Sequence, residues 1–507
     1  MTSLLNFLAS LSIVLLTIVS AGHALISKRD PKASMGWIAL CVLVPLGGPL
    51  LYFFFGVNRV RTRARKLRPE EDEPPYRIYD GRAEQELVRA FAVNAADCAE
   101  LVNISGAVTK QPLVGGNSVD LYHNGEQAYP AMLEAIRESR ESLYLTTYIF
   151  ETNTTGRHFI AALGDAARRG VDVRVILDGI GEWYSLPRAG TLLRRAGVAA
   201  ERFLPPRLIM PTFHINLRNH RKLLVADGVT AFAGGMNIGD RHLAENLENP
   251  ARVVDMHFRL EGPVASLLEA VFLEDWAFVT GQHRSGTDYR RKPPYISESD
   301  PPDGLARENG RFEGIRPPGT TERKSMALCR VITDGPNDDL DKLSVILNAA
   351  VTAARKSITI MTPYFIPPRG LMAALQAASL RGIQVSIILP EENNLPFVHW
   401  ATRNLLWELL MWGVEVYYQP PPFVHTKLFI VDGYYIHIGS ANIDPRSLRL
   451  NFEVAVEVYD RPLAAALADH VKRVCRVSRR VTLQEVDSRP LPLRLRDSLA
   501  WLMSPYL

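Results

Sequence analysis

The sequence predicts an α/β protein of two duplicated αβ halves forming one catalytic unit, preceded by an amino-terminal two-span transmembrane hairpin. Three observations predict it. A polar phrase running from His220-Arg221-Lys222 to Asp227-Gly228 recurs 205 residues later as His425-Thr426-Lys427 to Asp432-Gly433. Strand-like and helix-like runs alternate ahead of both copies, the pattern of sheets covered by helices. Residues 4–26 and 36–57 are apolar stretches, each long enough to cross ~30 Å of hydrocarbon as a helix.

The amino-terminal stretches come first in the chain. Lys28, Arg29, Asp30 and Lys32 separate them, and Arg59, Arg61, Arg63, Arg65, Lys66 and Arg68 follow the second. Six basic residues outweigh the net two of the connecting loop, so the positive-inside rule expects the catalytic portion in the cytoplasm and the amino terminus on the same side. The expectation is therefore a multi-pass membrane protein. A cleaved signal peptide with Val19-Ser20-Ala21 as its site competes weakly, since no Lys or Arg precedes the apolar run. Pro45, Gly47, Gly48 and Pro49 break a regular helix, which leaves a kinked or re-entrant hairpin open.

Residues 58–107 read as a basic juxtamembrane and connecting segment, 108–282 as the first half, 283–324 as a Pro-, Gly- and charge-rich linker, and 325–507 as the second half with a short tail. Ser142 to Phe150 aligns with Ser357 to Phe365, and Arg169 to Leu177 with Arg381 to Leu389. Apolar alternation makes these strands, each preceded by a helical run such as 128–140 or 343–355. The offset between copies drifts from 215 to 212 to 205, which places extra residues ahead of the first motif, around 205–219.

In each phrase His and Lys stand two apart, so on a strand both project from one face. Asp-Gly then signals a hairpin. With Asp227-Gly228 and Asp432-Gly433 as two-residue turns, His220 faces Gly235 and His425 faces Ser440, with Asn237 and Asn442 returning to the same face. The result is a floor of His, Lys and Asn supplied twice. An imidazole titrates near neutrality, so one His can attack while the other protonates a leaving group. Lys charge and Asn amides suit the oxygens of a phosphodiester transition state. No metal or other cofactor is expected: Cys41, Cys98, Cys329 and Cys475 are scattered, without metal-ligand spacing. Tyr148, Phe150, Tyr364, Phe365 and the run 400–412 are equally ordinary core aromatics or the lining of an acyl groove.

At these residues the chain resembles the phospholipase D superfamily, whose signature is the duplicated His-Lys-Asp motif. The resemblance implies a shared site of His220, Lys222, Asp227, His425, Lys427 and Asp432, with Asn237 and Asn442 on the phosphate. Asp227 and Asp432 complete the motif, yet their place at a turn suggests a structural part. Asn451-Phe452-Glu453 matches the superfamily's Asn-x-Glu, and Asp255 is its first-half counterpart. Both are expected to orient histidines, Glu453 holding His425. The superfamily's usual order puts the nucleophile at His220, with His425 as acid and then base.

Bacterial cardiolipin synthases resemble the whole chain through Arg29-x-Pro31, Trp37, Pro45-x-Gly47, Tyr52 and Gly56, both motifs, Asp444-Pro445-Arg446-Ser447 and the tail from Leu502 to Leu507. Val254 ahead of Asp255 departs from that group's usual Trp-Arg. The resemblance implies phosphatidyl transfer between two phosphatidylglycerol molecules, giving cardiolipin and glycerol, with membrane phospholipids as partners. Hydrolysis or another alcohol acceptor stays open. Nucleic acid is not expected as a partner, because 58 basic against 54 acidic residues is nearly neutral and the chain carries an apolar anchor. A non-catalytic scaffold would lack a motif residue, and none is missing. Oligomeric state is not legible.

Overall fold

The computed structural model describes residues 2–28, 31–56, 95–205, 217–281, 307–308, 311–312, 327–335 and 341–504. The chain divides into two compact units, 1–71 and 72–507. The basic run 59–68 and most of the connecting segment lie outside the described residues.

In the first unit, helix α1 (Thr2–Ser27) contains Leu4–Ser27, the one helix among the described residues long and apolar enough to cross a membrane. The second stretch is not one continuous helix. It forms α2 (Pro31–Leu43), a break, the single-turn α3 (Gly47–Leu51) and a π-helical turn, Tyr52–Gly56. Ser34 Oγ donates to Ala24 O (3.3 Å) and Thr17 Oγ1 to Pro45 O (3.0 Å), so α2 runs antiparallel along α1 as far as Thr17. Tyr52 then returns to the level of His23, with its hydroxyl 2.7 Å from His23 Nδ1 and its ring 5.4 Å from Trp37. Pro45, which has no N–H to continue a helix, stands at the reversal. Gly48 permits the fold-back, since a Cβ there would lie 2.2 Å from Leu40 O. The descent of α2, at 1.5 Å per residue, covers about 20 Å, short of the ~30 Å core. Among the described residues the expected two-span hairpin is therefore seen as one candidate span and a second apolar segment broken after Leu43.

The second unit is built on strands β1 (Val114–His123), β2 (Ser142–Thr147), β3 (Asp172–Asp178), β4 (Ala199–Phe203), β5 (Leu223–Ala226), β6 (Thr230–Gly234), β7 (Val253–Val254) and β8 (Met256–Glu261). A small hairpin, β9 (Arg307–Glu308) with β10 (Arg311–Phe312), is the described part of the expected linker. The second half supplies β11 (Ala327–Asp334), β12 (Ser357–Met361), β13 (Gln384–Pro390), β14 (Glu415–Gln419), β15 (Phe423–Val424), β16 (Leu428–Val431), β17 (Tyr435–Gly439), β18 (Glu453–Tyr459) and β19 (Arg479–Arg480).

Each half has the same strand order, β1-β8-β6-β5-β2-β3-β4 and β11-β18-β17-β16-β12-β13-β14, with β19 on one outer edge. The equivalent strands β1 and β11 pair antiparallel, Val114 with Cys329, which joins the halves about a local twofold. Helices Asn124–Glu138 and Lys342–Ala353 stand where helical runs were expected. Helix Ala95–Thr109 crosses the expected boundary at 107 and sends Cys98, Leu101 and Val102 into the second half's core. Phe150 and Phe365 are core residues and Trp400 packs partly buried against the second core, whereas Trp407 and Trp412 of the same run are exposed. The offset of 216 between β4 and β14 falls to 205 at the histidines, which puts eleven extra residues between Phe203 and His220.

The hairpin register differs from expectation by one residue. Ala226 pairs with Thr230 and Val431 with Tyr435, leaving three residues in each loop. Asp227 (φ 54) and Gly228 (φ 65) are both left-handed, and Val229 N closes the turn on Ala226 O, making Val229 the extra residue of a bulge. The β5–β6 and β16–β17 ladders therefore begin at Leu223 and Leu428, beyond the His-x-Lys residues. His220 does not face Gly235, nor His425 Ser440.

Candidate active site

Freed from its own hairpin, each histidine is carried by the other half. Asn219 forms a parallel bridge with Phe452, and His220 N donates to Phe452 O (2.9 Å). In mirror fashion β15 pairs parallel with β7, and His425 N donates to Val254 O (2.7 Å). Phe452 and Val254 each precede a carboxylate. The backbone exchange thus sets Glu453 beside His220 Nδ1 (3.0 Å) and Asp255 beside His425 Nδ1 (2.8 Å). The expectation that Glu453 holds His425 is corrected: each carboxylate orients the histidine of the opposite half. Crossing follows from the twofold, which brings the end of one half's sheet against the motif of the other.

With Nδ1–H donated to a carboxylate, a neutral imidazole keeps its Nε2 lone pair for a phosphorus atom. Burial pulls both histidines down. Glu453 counters this at His220, whereas Lys427, Lys222 and His220 add to burial at His425 and drive it well below its usual value. Lys222 Nζ donates to His220 O and Lys427 Nζ to His425 O, each at 2.6 Å. Burial lowers Lys222 to about 7 and Lys427 to about 8 despite the nearby carboxylates. A buried cation pair with depressed pKa values is poised to gain an anionic group.

The two carboxylates differ for a reason visible in the residues around them. Burial would raise Glu453, but His220, Lys222 and the Ser440 hydroxyl outweigh it and hold it at about 2. Ser440 Oγ donates to Glu453 Oε2, and Asn451 Nδ2 donates to Oε1 (3.3 Å). Ser440's counterpart is Gly235, where a Cβ would sit 2.6 Å from both Asp255 oxygens, so that half offers no hydroxyl and no room for one. Asp255 accepts from Met256 N (2.8 Å), and burial leaves its pKa raised.

Asn237 is buried with its Oδ1 accepting from Ile149 N (3.0 Å). Asn442 is likewise buried. The motif aspartates lie at the far end of the strands. Asp227 accepts from the N–H groups of Arg140, Glu141 and Ser142, and Asp432 from those of Arg355, Lys356 and Ser357. These bonds clamp the hairpin to the start of β2 and β12, the structural part that their place at a turn suggested.

Tyr148 and Tyr364 flank the pair, their rings 5.4 Å from His220 and 6.4 Å from His425. Sequence reasoning missed a supporting layer. Arg221 Nη1 bonds Asp275 (2.5 Å) while its Nε donates to Glu453 O (3.1 Å), and Arg218 pairs with Asp178 (3.2 Å), which also takes Asn219 N (3.0 Å). Arg221, a cation on the opposite face from His220 and Lys222, signalled a buried partner. Nothing in the sequence pointed to Asp275 as that partner.

Comparison with known proteins bears on this geometry. The family described as "Cardiolipin synthase, PLD-like domain" matches residues 132–276 and 347–475, and "Phospholipase_D-nuclease N-terminal" matches 5–56. The Bacillus subtilis (strain 168) protein named major cardiolipin synthase ClsA is 30% identical over all of both chains. The chain belongs to the cardiolipin synthase family of the phospholipase D superfamily. Cardiolipin synthase A of Pseudomonas putida is 29% identical, covering 97% of this chain and 96% of its own. The fold is shared with the solved phosphatidylserine synthase of Haemophilus influenzae Rd KW20, at TM-score 0.57 and 16% identity over 81% of this chain and 100% of that one. The two stretches matched by the cardiolipin synthase family lie in the repeated halves that bring the crossed histidines together.

Proposed function

We propose that this protein makes cardiolipin by moving a phosphatidyl group from one phosphatidylglycerol to another through a phosphohistidine. The observation that carries the reading is the crossed pair, His220 on Glu453 and His425 on Asp255, with Lys222 and Lys427 buried beside it. In the first step His220 Nε2 bonds to phosphorus, the bond to the glycerol oxygen breaks, and His425 gives that oxygen a proton. In the second, His425 takes the proton of the acceptor's hydroxyl, the oxygen bonds to phosphorus, and the phosphorus–nitrogen bond breaks. The lysines and the amides of Asn237 and Asn442 balance charge on the non-bridging oxygens.

The anchor fits a substrate that never leaves the bilayer. In our reading α1 spans the membrane and the α2–α3 segment re-enters and returns on the side it came from. The basic residues 59–68 then keep the catalytic unit on the cytoplasmic face of a bacterial inner membrane, with the amino terminus on the opposite face rather than the same one. The deciding experiment supplies the purified full chain with phosphatidylglycerol bilayers. Cardiolipin with equimolar glycerol supports the transfer, phosphatidic acid alone would make the protein a hydrolase, and no turnover of any phospholipid rejects the reading.

A further inference from the structure

The loops that follow the third strand of each half share a position and a surface chemistry. After β3 the chain turns over Tyr148 so closely that a Cβ on Gly181 would lie 1.6 Å from Tyr148 O. That turn leaves Trp183 and Tyr184 each 55% exposed and Leu186 84% exposed. Tyr184's ring is 6.4 Å from Tyr148, itself in contact with His220. After β13 the second half does the same. Tyr364 OH donates to Asn394 (2.8 Å) and Asn393 Nδ2 to Pro363 O (2.8 Å), which seats the loop beside the ring next to His425 and leaves Leu395 43% and Phe397 58% exposed.

A single exposed leucine means nothing, because apolar atoms make up much of any surface. Five large side chains, in two repeat-related loops, each loop one ring away from a histidine, are a different case. Trp and Tyr settle at the membrane–water interface, where an amphipathic ring meets headgroups. Arg188 is exposed two residues from Leu186, the Arg241 guanidinium, paired with Glu151, lies 6.0 Å over the Tyr184 ring, and the second loop opens on Glu391 and the exposed Glu392, so charges of both signs accompany the apolar groups. Amphipathic rings with charged groups beside them fit a phospholipid headgroup layer, and the substrate proposed above makes that layer anionic.

We propose that the loops carrying Trp183, Tyr184 and Leu186 and carrying Leu395 and Phe397 form a two-sided rim that enters the headgroup layer of an anionic phospholipid bilayer, so that the histidine pair opens onto it. The proposal rests on the lipid-substrate reading and adds how that substrate reaches the site. Trp183→Ser/Leu186→Ser and Leu395→Ser/Phe397→Ser alter exposed side chains, where substitutions usually cost little stability. The full chain, held in phosphatidylcholine nanodiscs, is assayed with monomeric dihexanoyl phosphatidylglycerol, and in vesicles with long-chain phosphatidylglycerol. Each double variant should lower turnover in vesicles by about tenfold and leave turnover of the monomeric substrate within about twofold. Equal loss on both substrates, or none in vesicles, overturns the proposal. So does a shift from dimer to monomer with vesicle turnover unchanged, which assigns the surface to a second copy. Failure of the unsubstituted protein on both substrates would instead reject the lipid reading itself.

Discussion

At the scale of single residues, the site is governed by which carboxylate serves which histidine. Glu453→Gln removes the charge beside His220 while keeping an acceptor. The imidazole whose nitrogen resonances and titration move should be His220's, although His425 is the motif histidine of Glu453's own half. Nitrogen-resolved spectra of the full chain check this, and movement confined to His425 would contradict the crossed pairing. His220→Ala and His425→Ala should each abolish transfer, and the double variant should be no worse, because the two act in one step. With a donor whose leaving group needs no proton, His425→Ala should still accumulate phosphoenzyme at His220 and His220→Ala none. Peptide mapping after a quench that avoids acid gives the answer, and label on His425 would support the reversed assignment. The two carboxylates are held differently: His220 chiefly, with Lys222 and the Ser440 hydroxyl adding, holds Glu453 at about 2, whereas burial leaves Asp255 raised.

At the scale of elements, the motif aspartates and the re-entrant segment carry the testable content. Asp227 and Asp432 each take three backbone N–H groups at the junction of a helix and a strand. Asp227→Ala strands these donors at a partly exposed site and should cost roughly 1–3 kcal/mol of stability. Thermal unfolding should reveal the loss while kcat of the folded fraction is kept. A large fall in kcat at unchanged Tm would return the aspartate to the chemistry. In the anchor, a cysteine at Thr2 and one at Arg63 should label from opposite faces of intact inner-membrane vesicles, given one span and a return. Labelling from the same face would restore two full spans.

At the scale of the whole molecule, the buried histidines set the response to acid. Burial lowers His242 to about 3, and His257 and His437 to about 4. In the unfolded chain these rings take a proton below about 6.5, whereas in the fold they stay neutral until far lower pH. Their contribution is therefore intact above pH ~6.5 and is lost as pH falls toward 4, at about 1.4 kcal/mol per pH unit for each. The Tm of the catalytic unit should drop steeply across that window, and a flat Tm from pH 6.5 to 4 would refute it. Glu453 leaves this window untouched and adds to the loss only below it, since its stabilisation is kept until pH falls below ordinary carboxylate values and is then lost toward about 2.

The duplicated phrase, the alternation of strand and helix, the six motif residues and the first apolar helix were all legible in the sequence, because each depends on local period or exact repetition. The Pro-Gly cluster at 45–49 marked a break in the second apolar stretch, but the direction of the chain beyond it rests on Tyr52 meeting His23 and Gly48 meeting Leu40. The hairpin register was misread by one residue, because whether Asp-Gly makes a two- or three-residue loop depends on what the Asp carboxylate bonds, and for Asp227 those N–H groups lie 85 or more residues away in the chain. Asp275 as partner to Arg221, and Glu453 as partner to His220, join residues 54 and 233 apart. A sequence states which ionisable groups a chain contains, but a buried charge takes whichever counter-charge the packed sheets bring within about 3 Å. Here a twofold between the halves made that choice, and only the tertiary structure contains it.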